Sequence, residues 1–217
     1  MLKQIFDGVY LIDNRLATLN KAKGRRVYNE ELVSIDGNEY RLWNPYRSKL
    51  AAAILNGMKE FHIKKDSRVL YIGAATGTTA SHVSDIAYDG QVFCIELSER
   101  NMRELLNVCE SRDNMLPILA DANNINEYID SVGKCDIIYQ DASAREQSGI
   151  LNKNSVMLEK DGYAYFIIKS QSIDISKDPK QVFQEELRNT SSNFKTLEKI
   201  DIEPYDSLHM FYVLRKI

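Results

Sequence analysis

Cysteine is scarce in this chain, and its spacing forms no pairs. Cys94, Cys109 and Cys135 are odd in number and far apart, with no C-x-x-C among them, so neither a zinc site nor a disulfide framework is written here and reduced, buried thiols are expected. No apolar run approaches the ~18 residues needed to cross a bilayer, and Asp7 interrupts the stretch that a signal peptide would keep apolar; a cytoplasmic protein is expected, with no membrane partner. A surplus of positive charge is missing as well. Lys+Arg number 28 against 31 Asp+Glu, for a net charge of -3, which argues against unaided nucleic-acid binding because neutralising phosphates requires basic residues in excess. With only 10 glycines and 4 prolines in 217 residues, a fibrous or low-complexity chain is excluded. The 44% hydrophobic content suffices for one sizeable core.

The charge is unevenly spread. Residues 1–66 hold 12 Lys+Arg against 8 Asp+Glu, whereas the remainder holds 16 against 23, so any basic face should involve the amino-terminal segment. Residues 1–42 lack helical periodicity and carry short apolar runs such as Val9–Ile12 and Glu31–Ile35 between turn residues, which predicts a small antiparallel β module over 1–43. A helix is expected to begin at Asn44-Pro45, with Asn as cap and Pro in the first turn, and to dock through Leu50, Ile54, Met58 and Phe61. Arg47 and Lys49 then fall in its first turn, where the helix dipole disfavours cations; a polyanion or a catalytic task accounts for them better than helix stability does.

From Asp66 onward β-rich runs alternate with helical patterns. Arg68–Ile72, Gln91–Glu96, Leu116–Leu119, Cys135–Tyr139 and Tyr163–Ile168 read as parallel strands, and Asn193–Ile202 with Leu208–Arg215 as a final antiparallel pair, since their short connection permits no helical crossover. The expected fold is α/β over 44–217: a Rossmann-like, seven-stranded, mostly parallel sheet with one reversed strand.

The first parallel strand runs into Gly73-Ala74-Ala75-Thr76-Gly77-Thr78-Thr79, a turn that lets a ligand lie against backbone. Its spacing is neither G-x-G-x-x-G nor a loop with G-K-[ST]. Glu96 ends the second strand where such folds place a carboxylate on a ribose; Asp121 follows the third strand and Asp141 the fourth. This acidic rim would repel a pyrophosphate but suits a nucleoside bearing a cationic sulfonium, which favours S-adenosylmethionine over NAD. Gly73, Ala74, Thr78, Thr79, Glu96, Leu97, Asp121, Ala122 and Asp141 are the candidate cofactor contacts. The alternative for Asp121 is a local cap. Lys169 ends the fifth strand beside Asp141, facing the site or snorkelling at a sheet edge. Of three histidines, His209 lies on the reversed strand pair, while His62 and His82 read as structural.

The blocks R-L-W-N-P-Y-R-S-K-L-A-A-A-I (41–54), V-L-Y-I-G-A-A-T-G-T-T-A-S-H-V-S-D-I (69–86), I-L-A-D-A (118–122), I-K-S-Q-S-I-D (168–174) and E-P-Y-D-S-L-H (203–209) closely resemble the fibrillarin family, in its archaeal form, over essentially the whole chain. The resemblance implies an RNA 2′-O-methyltransferase acting on rRNA and tRNA with S-adenosylmethionine. It also implies a box C/D ribonucleoprotein in which a guide RNA selects the target, with a Nop-domain scaffold protein and a kink-turn-binding protein as partners. The family's Lys-Asp-Lys-His tetrad falls on Lys49, Asp141, Lys169 and His209. On this reading Lys169, flanked by other cations, accepts or steers the proton of the ribose hydroxyl, Asp141 orients it, and Lys49 and His209 fix the ribose and its phosphate. Two departures stand out. Leu208 precedes His209 where the family has Asp, removing a polar neighbour and making the histidine's role positional. Asp141-Ala142-Ser143-Ala144 replaces Asp-Val-Ala-Gln, leaving Gln147 as the candidate for a glutamine on the cofactor. The rival readings are an NAD-dependent dehydrogenase, a non-catalytic ribonucleoprotein scaffold and a glutamine-directed protein methyltransferase.

Overall fold

The computed structural model describes residues 1–217. Five strands, β1 (Leu2–Phe6), β2 (Val9–Ile12), β3 (Arg15–Leu19), β4 (Leu32–Ile35) and β5 (Asn38–Leu42), form an antiparallel sheet in the order β1-β2-β3-β5-β4. Three of its hairpins close with two residues, Asp7-Gly8, Asp13-Asn14 and Asp36-Gly37. Asp13-Asn14 and Asp36-Gly37 all have positive φ, the geometry that matches the twist of paired strands and that Asn, Asp and Gly tolerate.

The second sheet contains β6 (Arg68–Ile72), β7 (Gln91–Glu96), β8 (Met115–Leu119), β9 (Cys135–Gln140), β10 (Leu158–Lys169), β11 (Phe194–Asp201) and β12 (His209–Lys216). Their order is β11-β12-β10-β9-β6-β7-β8. The pairs from β10 to β8 are parallel, and β12 runs antiparallel to both its neighbours, so one strand is reversed. Chain order changes direction between β6 and β9, which opens a crevice at their carboxyl ends. The helices are α1 (Lys49–Leu55), α2 (Thr78–Ile86), α3 (Glu99–Cys109), α4 (Ile129–Val132), α5 (Gln147–Asn154), α6 (Ser170–Ile173) and α7 (Pro179–Thr190). None is long and apolar enough to cross a membrane. Cys94 and Cys135 are buried, but Cys109 is only half-buried; all three are free thiols. Burial pushes the Cys109 and Cys135 thiols up to about 11 and about 12, which keeps them protonated.

The helix expected from Asn44 through Phe61 is divided. Asn44 caps a single 3-10 turn, Pro45–Arg47, and the chain then extends at Ser48 (φ -151°, ψ 115°) before α1 begins. Tertiary contact makes this break: the Ser48 hydroxyl caps Ala51 N–H and accepts from Thr79 Oγ1 at 3.0 Å. Gly57, at φ +91°, ends the helix in the left-handed conformation that releases a chain from α geometry. Met58 and Phe61 therefore follow α1 rather than belong to it, although both still pack in the core. The break makes Lys49 the first residue of a helix whose next five residues, Leu50–Ile54, are buried.

The two sheets are joined by a buried polar network. Arg41 pairs with Glu30 (2.6 Å) and Asp85 (2.9 Å), and Arg112 pairs with Asp85 (2.6 Å). His82 lies between Thr18 Oγ1 (2.8 Å) and Tyr28 OH (2.9 Å) and stacks on Trp43. Two cations face two carboxylates, which is the condition for burying such charge at all.

Candidate active site

The crevice at the sheet's switch point is a cleft of about 430 Å³, within the range of small-molecule sites. Gly73, Glu96, Leu97, Asp121, Ala122, Asp141 and Lys169 all line it. Gly73 has φ +81°, and a Cβ there would lie 2.8 Å from the Asp141 carbonyl oxygen; only glycine lets the β6–α2 turn come this close to the end of β9. Glu96 is buried and its carboxylate accepts from Ala75 N–H (2.7 Å) and Ser98 N–H (2.8 Å). Oε2 thus holds one protein donor and retains a lone pair for a ligand hydroxyl, while Oε1 also faces Asn101 Nδ2 at 3.5 Å, a long contact that a ligand hydroxyl can replace. Asp121 Oδ1 accepts from Asn123 N–H at 2.8 Å, so the local cap and the place in the cleft coexist. Apolar Ile72, Ile95, Ala120 and Ile150 complete walls that fit an adenine ring, while three carboxylates on the rim suit a cationic ligand.

Four proposed cofactor residues lie outside the lining. Ala74 and Thr79 are buried, Thr79 being committed to Ser48, and Thr78 faces a neighbouring groove. Gln147 is fully buried and spends its amide on protein backbone. It accepts from Lys169 N–H (2.9 Å) and donates to the Ala144 and Lys169 carbonyls (3.0 and 3.2 Å). It braces the end of β10, which leaves its amide without a donor for the cleft.

At the mouth of the cleft the four tetrad residues converge. Lys169 Nζ lies 2.7 Å from Asp141 Oδ1 and donates to the Asp141 carbonyl (2.8 Å) and Ser143 Oγ (3.1 Å). Lys49 Nζ lies 3.2 Å from Asp141 Oδ2 and 3.5 Å from Asp206 Oδ2. His209, the cross-strand partner of Lys169, has Nδ1 2.7 Å from Asp206 Oδ1. The expectation that Lys169 is flanked by cations is corrected: Asp141 stands between the two lysines. So is the expectation that His209 has no acidic neighbour, because Asp206, three residues earlier, supplies one despite Leu208. Burial opposes the charge on Lys49, but Asp141 and Asp206 outweigh it and hold the lysine above its ordinary pKa. Burial likewise opposes the Asp206 carboxylate, and His209 and Lys49 overcome it, keeping its pKa low.

Asp206 and Ser143 were missed by sequence reasoning. For Asp206 the available signal was an acid three residues before His209 in a turn. For Ser143 it was a hydroxyl in the very segment that departs from the family.

Beside the site runs a polar groove of about 600 Å³ whose lining includes Arg25, Arg26, Arg47, Thr76 and Thr78 and also Glu104 and Glu110. The three arginines are exposed, and Arg47 rests over the Tyr28 ring at 5.9 Å.

The family model described as Fibrillarin matches residues 1–216. A fibrillarin-like rRNA/tRNA 2′-O-methyltransferase of Methanothermobacter thermautotrophicus is 46% identical over 212 residues, 97% of this chain and 95% of that protein. One of Methanocaldococcus jannaschii is 46% identical over 219 residues, 98% and 95% of the two chains. Among solved structures, an Aeropyrum pernix fibrillarin in complex with natively bound S-adenosyl-L-methionine has a TM-score of 0.91 and 37% identity, covering 99% of this chain and 97% of that one. A fibrillarin/Nop5p complex matches with a TM-score of 0.91 and 36% identity, over 99% and 100%.

Proposed function

The chain belongs to the fibrillarin family, and from that premise we propose that it is an S-adenosylmethionine-dependent methyltransferase of ribose 2′-hydroxyls in rRNA and tRNA. The observation that carries this reading is the Asp141 carboxylate, shared between Lys169 and Lys49 at the mouth of a cleft whose walls fit an adenosine. Glu96 would hold the cofactor's ribose diol, and Asp121 with Ala122 its adenine. Bound there, S-adenosylmethionine supplies an electrophilic methyl on a sulfonium.

The chain's own residues do the rest. A ribose hydroxyl is a weak nucleophile near neutral pH and must be held in line and relieved of its proton as the bond forms. Lys169, held by two acceptors and paired with the Asp141 carboxylate, positions that hydroxyl and steers its proton toward Asp141. Lys49 and His209 approach from the other side and hold the ribose and its phosphate. Residues 1–43 supply much of the basic side and 44–217 the chemistry, because Arg25 and Arg26 continue from Arg47 along the groove beside the site.

The partners extend this reading. A net charge of -3 does not support independent RNA affinity, and the relative solved with Nop5p supports a Nop-domain scaffold here. A guide RNA and a kink-turn-binding protein complete the particle by family resemblance. The test is methyl transfer from labelled S-adenosylmethionine to guide-paired RNA by the reconstituted particle. Transfer confined to the guided 2′-hydroxyl is expected; a particle that binds cofactor and RNA but transfers no methyl contradicts the reading.

A further inference from the structure

Asp206 lies outside the cofactor cleft, yet its two oxygens lie within ion-pair distance of two residues of the reactive cluster. Oδ1 meets His209 Nδ1 at 2.7 Å and Oδ2 meets Lys49 Nζ at 3.5 Å. The loop that carries it is tied down at both ends. Asn56, which follows α1, donates through Nδ2 to the Asp201 and Glu203 carbonyls, each at 2.7 Å. Ser170, which follows Lys169, donates through its hydroxyl (2.9 Å) and its N–H (3.3 Å) to the Leu208 carbonyl. The elements bearing Lys49 and Lys169 thus hold the two ends of one loop. Leu208 has φ +63°, a left-handed conformation that costs a leucine free energy and lies between the acid and the histidine it meets.

We propose that Asp206 is a positioning residue of the methyl-transfer site, fixing the His209 ring through Nδ1 and restraining Lys49 with its second oxygen. A carboxylate 2.7 Å from Nδ1 favours a proton on that nitrogen, which in the neutral imidazole leaves Nε2 as the acceptor, so this pairing selects which ring nitrogen is available to a ribose or its phosphate-bound water. In this chain the acid is three residues before the histidine, and Leu208 occupies the place where the family carries one. The departure is compensated rather than disabling. This inference rests on the methyltransferase reading for its consequence, though not for its geometry.

The experiment uses the full chain, alone and in the reconstituted particle, with Asp206→Ala and Asp206→Asn. Three quantities are read: cofactor affinity by calorimetry, single-turnover methyl transfer to guide-paired RNA, and the ¹⁵N shifts of His209. Those shifts are assignable because there are only 3 histidines. Asp206→Ala is expected to leave cofactor affinity unchanged and to move His209 from the Nδ1–H to the Nε2–H form. It should slow single-turnover transfer at saturating RNA roughly 10–100-fold, less than the ~10²–10⁴ for losing an acid–base group itself. Asp206→Asn keeps the shape and an acceptor for Nδ1–H but loses the charge facing Lys49, so an intermediate rate is expected. A His209 ring that keeps its Nδ1–H form in Asp206→Ala, or transfer at the wild-type rate, overturns the proposal. If Asp206→Ala does not fold, a wild-type rate in Asp206→Asn overturns it. A wild-type particle that transfers no methyl would instead refute the methyltransferase reading, while the His209 shifts still decide the pairing.

Discussion

Asp141 sits between two ammonium groups, 2.7 Å from Lys169 and 3.2 Å from Lys49, so either lysine can be removed without leaving the carboxylate unpaired. Lys169→Ala should therefore preserve fold and cofactor affinity while slowing single-turnover methyl transfer by the ~10²–10⁴ that loss of an acid–base group costs. A Lys169→Ala protein of near wild-type activity would refute the role given to this lysine. Glu96 works differently, because it both organises the loop, through Ala75 and Ser98, and faces the cleft. Its charge-assisted bonds to a ribose diol are each worth about 1.5–3 kcal/mol, so Glu96→Ala should weaken cofactor binding by roughly 100-fold or more. Calorimetric titration with S-adenosylmethionine checks this, and unchanged affinity would remove Glu96 from the site. Glu96, Asp141 and Lys169 were legible in the sequence because each ends an apolar run, and the ends of parallel strands face one crevice. Asp206 was not, since its meeting with His209 depends on a turn at a left-handed leucine that no periodic pattern encodes. Gln147 misled for the opposite reason: a polar residue beside a site can serve the backbone rather than the ligand.

Among the elements, the strands of the parallel sheet were predictable to within a residue or two because turn residues bound each apolar run, except that β10 begins at Leu158 and runs through Asp161-Gly162 rather than starting at Tyr163, and the segment after Trp43 was not predictable. A helix cap at Asn44 was visible, but the second start at Ser48 is imposed by Thr79 of α2, 31 residues away. Sequence periodicity sees neighbours three and four apart and has no access to such a contact. The same limit hid the junction between the sheets, where Arg41 and Arg112 reach Asp85 of α2, the helix that also carries His82, from distant segments. That junction has a measurable consequence. Burial, with Arg41 and Arg112 nearby, holds the fully buried His82 well below its ordinary pKa of 6.5. Below that value the unfolded chain takes up a proton that the folded chain refuses, so stability falls as pH drops, by up to about 1.4 kcal/mol per unit from this group. Urea unfolding at pH 7.0, 6.0 and 5.5 (chosen to span about one unit below the ordinary value) should show a steeper loss in the wild type than in His82→Asn. Parallel slopes would mean that His82 is not held neutral. Breaking the ion cluster should cost more: Asp85→Ala leaves two buried guanidinium groups short of a partner and should destabilise the chain by about 3–5 kcal/mol.

At the scale of the whole molecule, charge is divided so that an acidic body presents a basic edge beside the reactive cluster. The net charge of -3 predicts weak RNA binding by the isolated chain at physiological salt. In the guide-bearing particle proposed above, the guide would bring the target close, and a few local contacts would then suffice to orient it. Arg25, Arg26 and Arg47 line the groove next to the cofactor loop, and Arg47 is two residues from Lys49. The double variant Arg25→Gln/Arg26→Gln should therefore raise the particle's KM for target RNA severalfold and flatten its dependence on salt, by about one unit of log–log slope for each phosphate that an arginine no longer neutralises. Cofactor affinity should not change, because neither arginine lines the cleft, and transfer at saturating RNA should stay near wild type. The measurement is KM across a salt series with the reconstituted particle. Guide pairing is the same in both particles, so any change in slope belongs to the protein. An unchanged slope would place the RNA elsewhere on this surface, whereas a fall in transfer at saturating RNA would mean that the groove acts on the reaction itself rather than on docking.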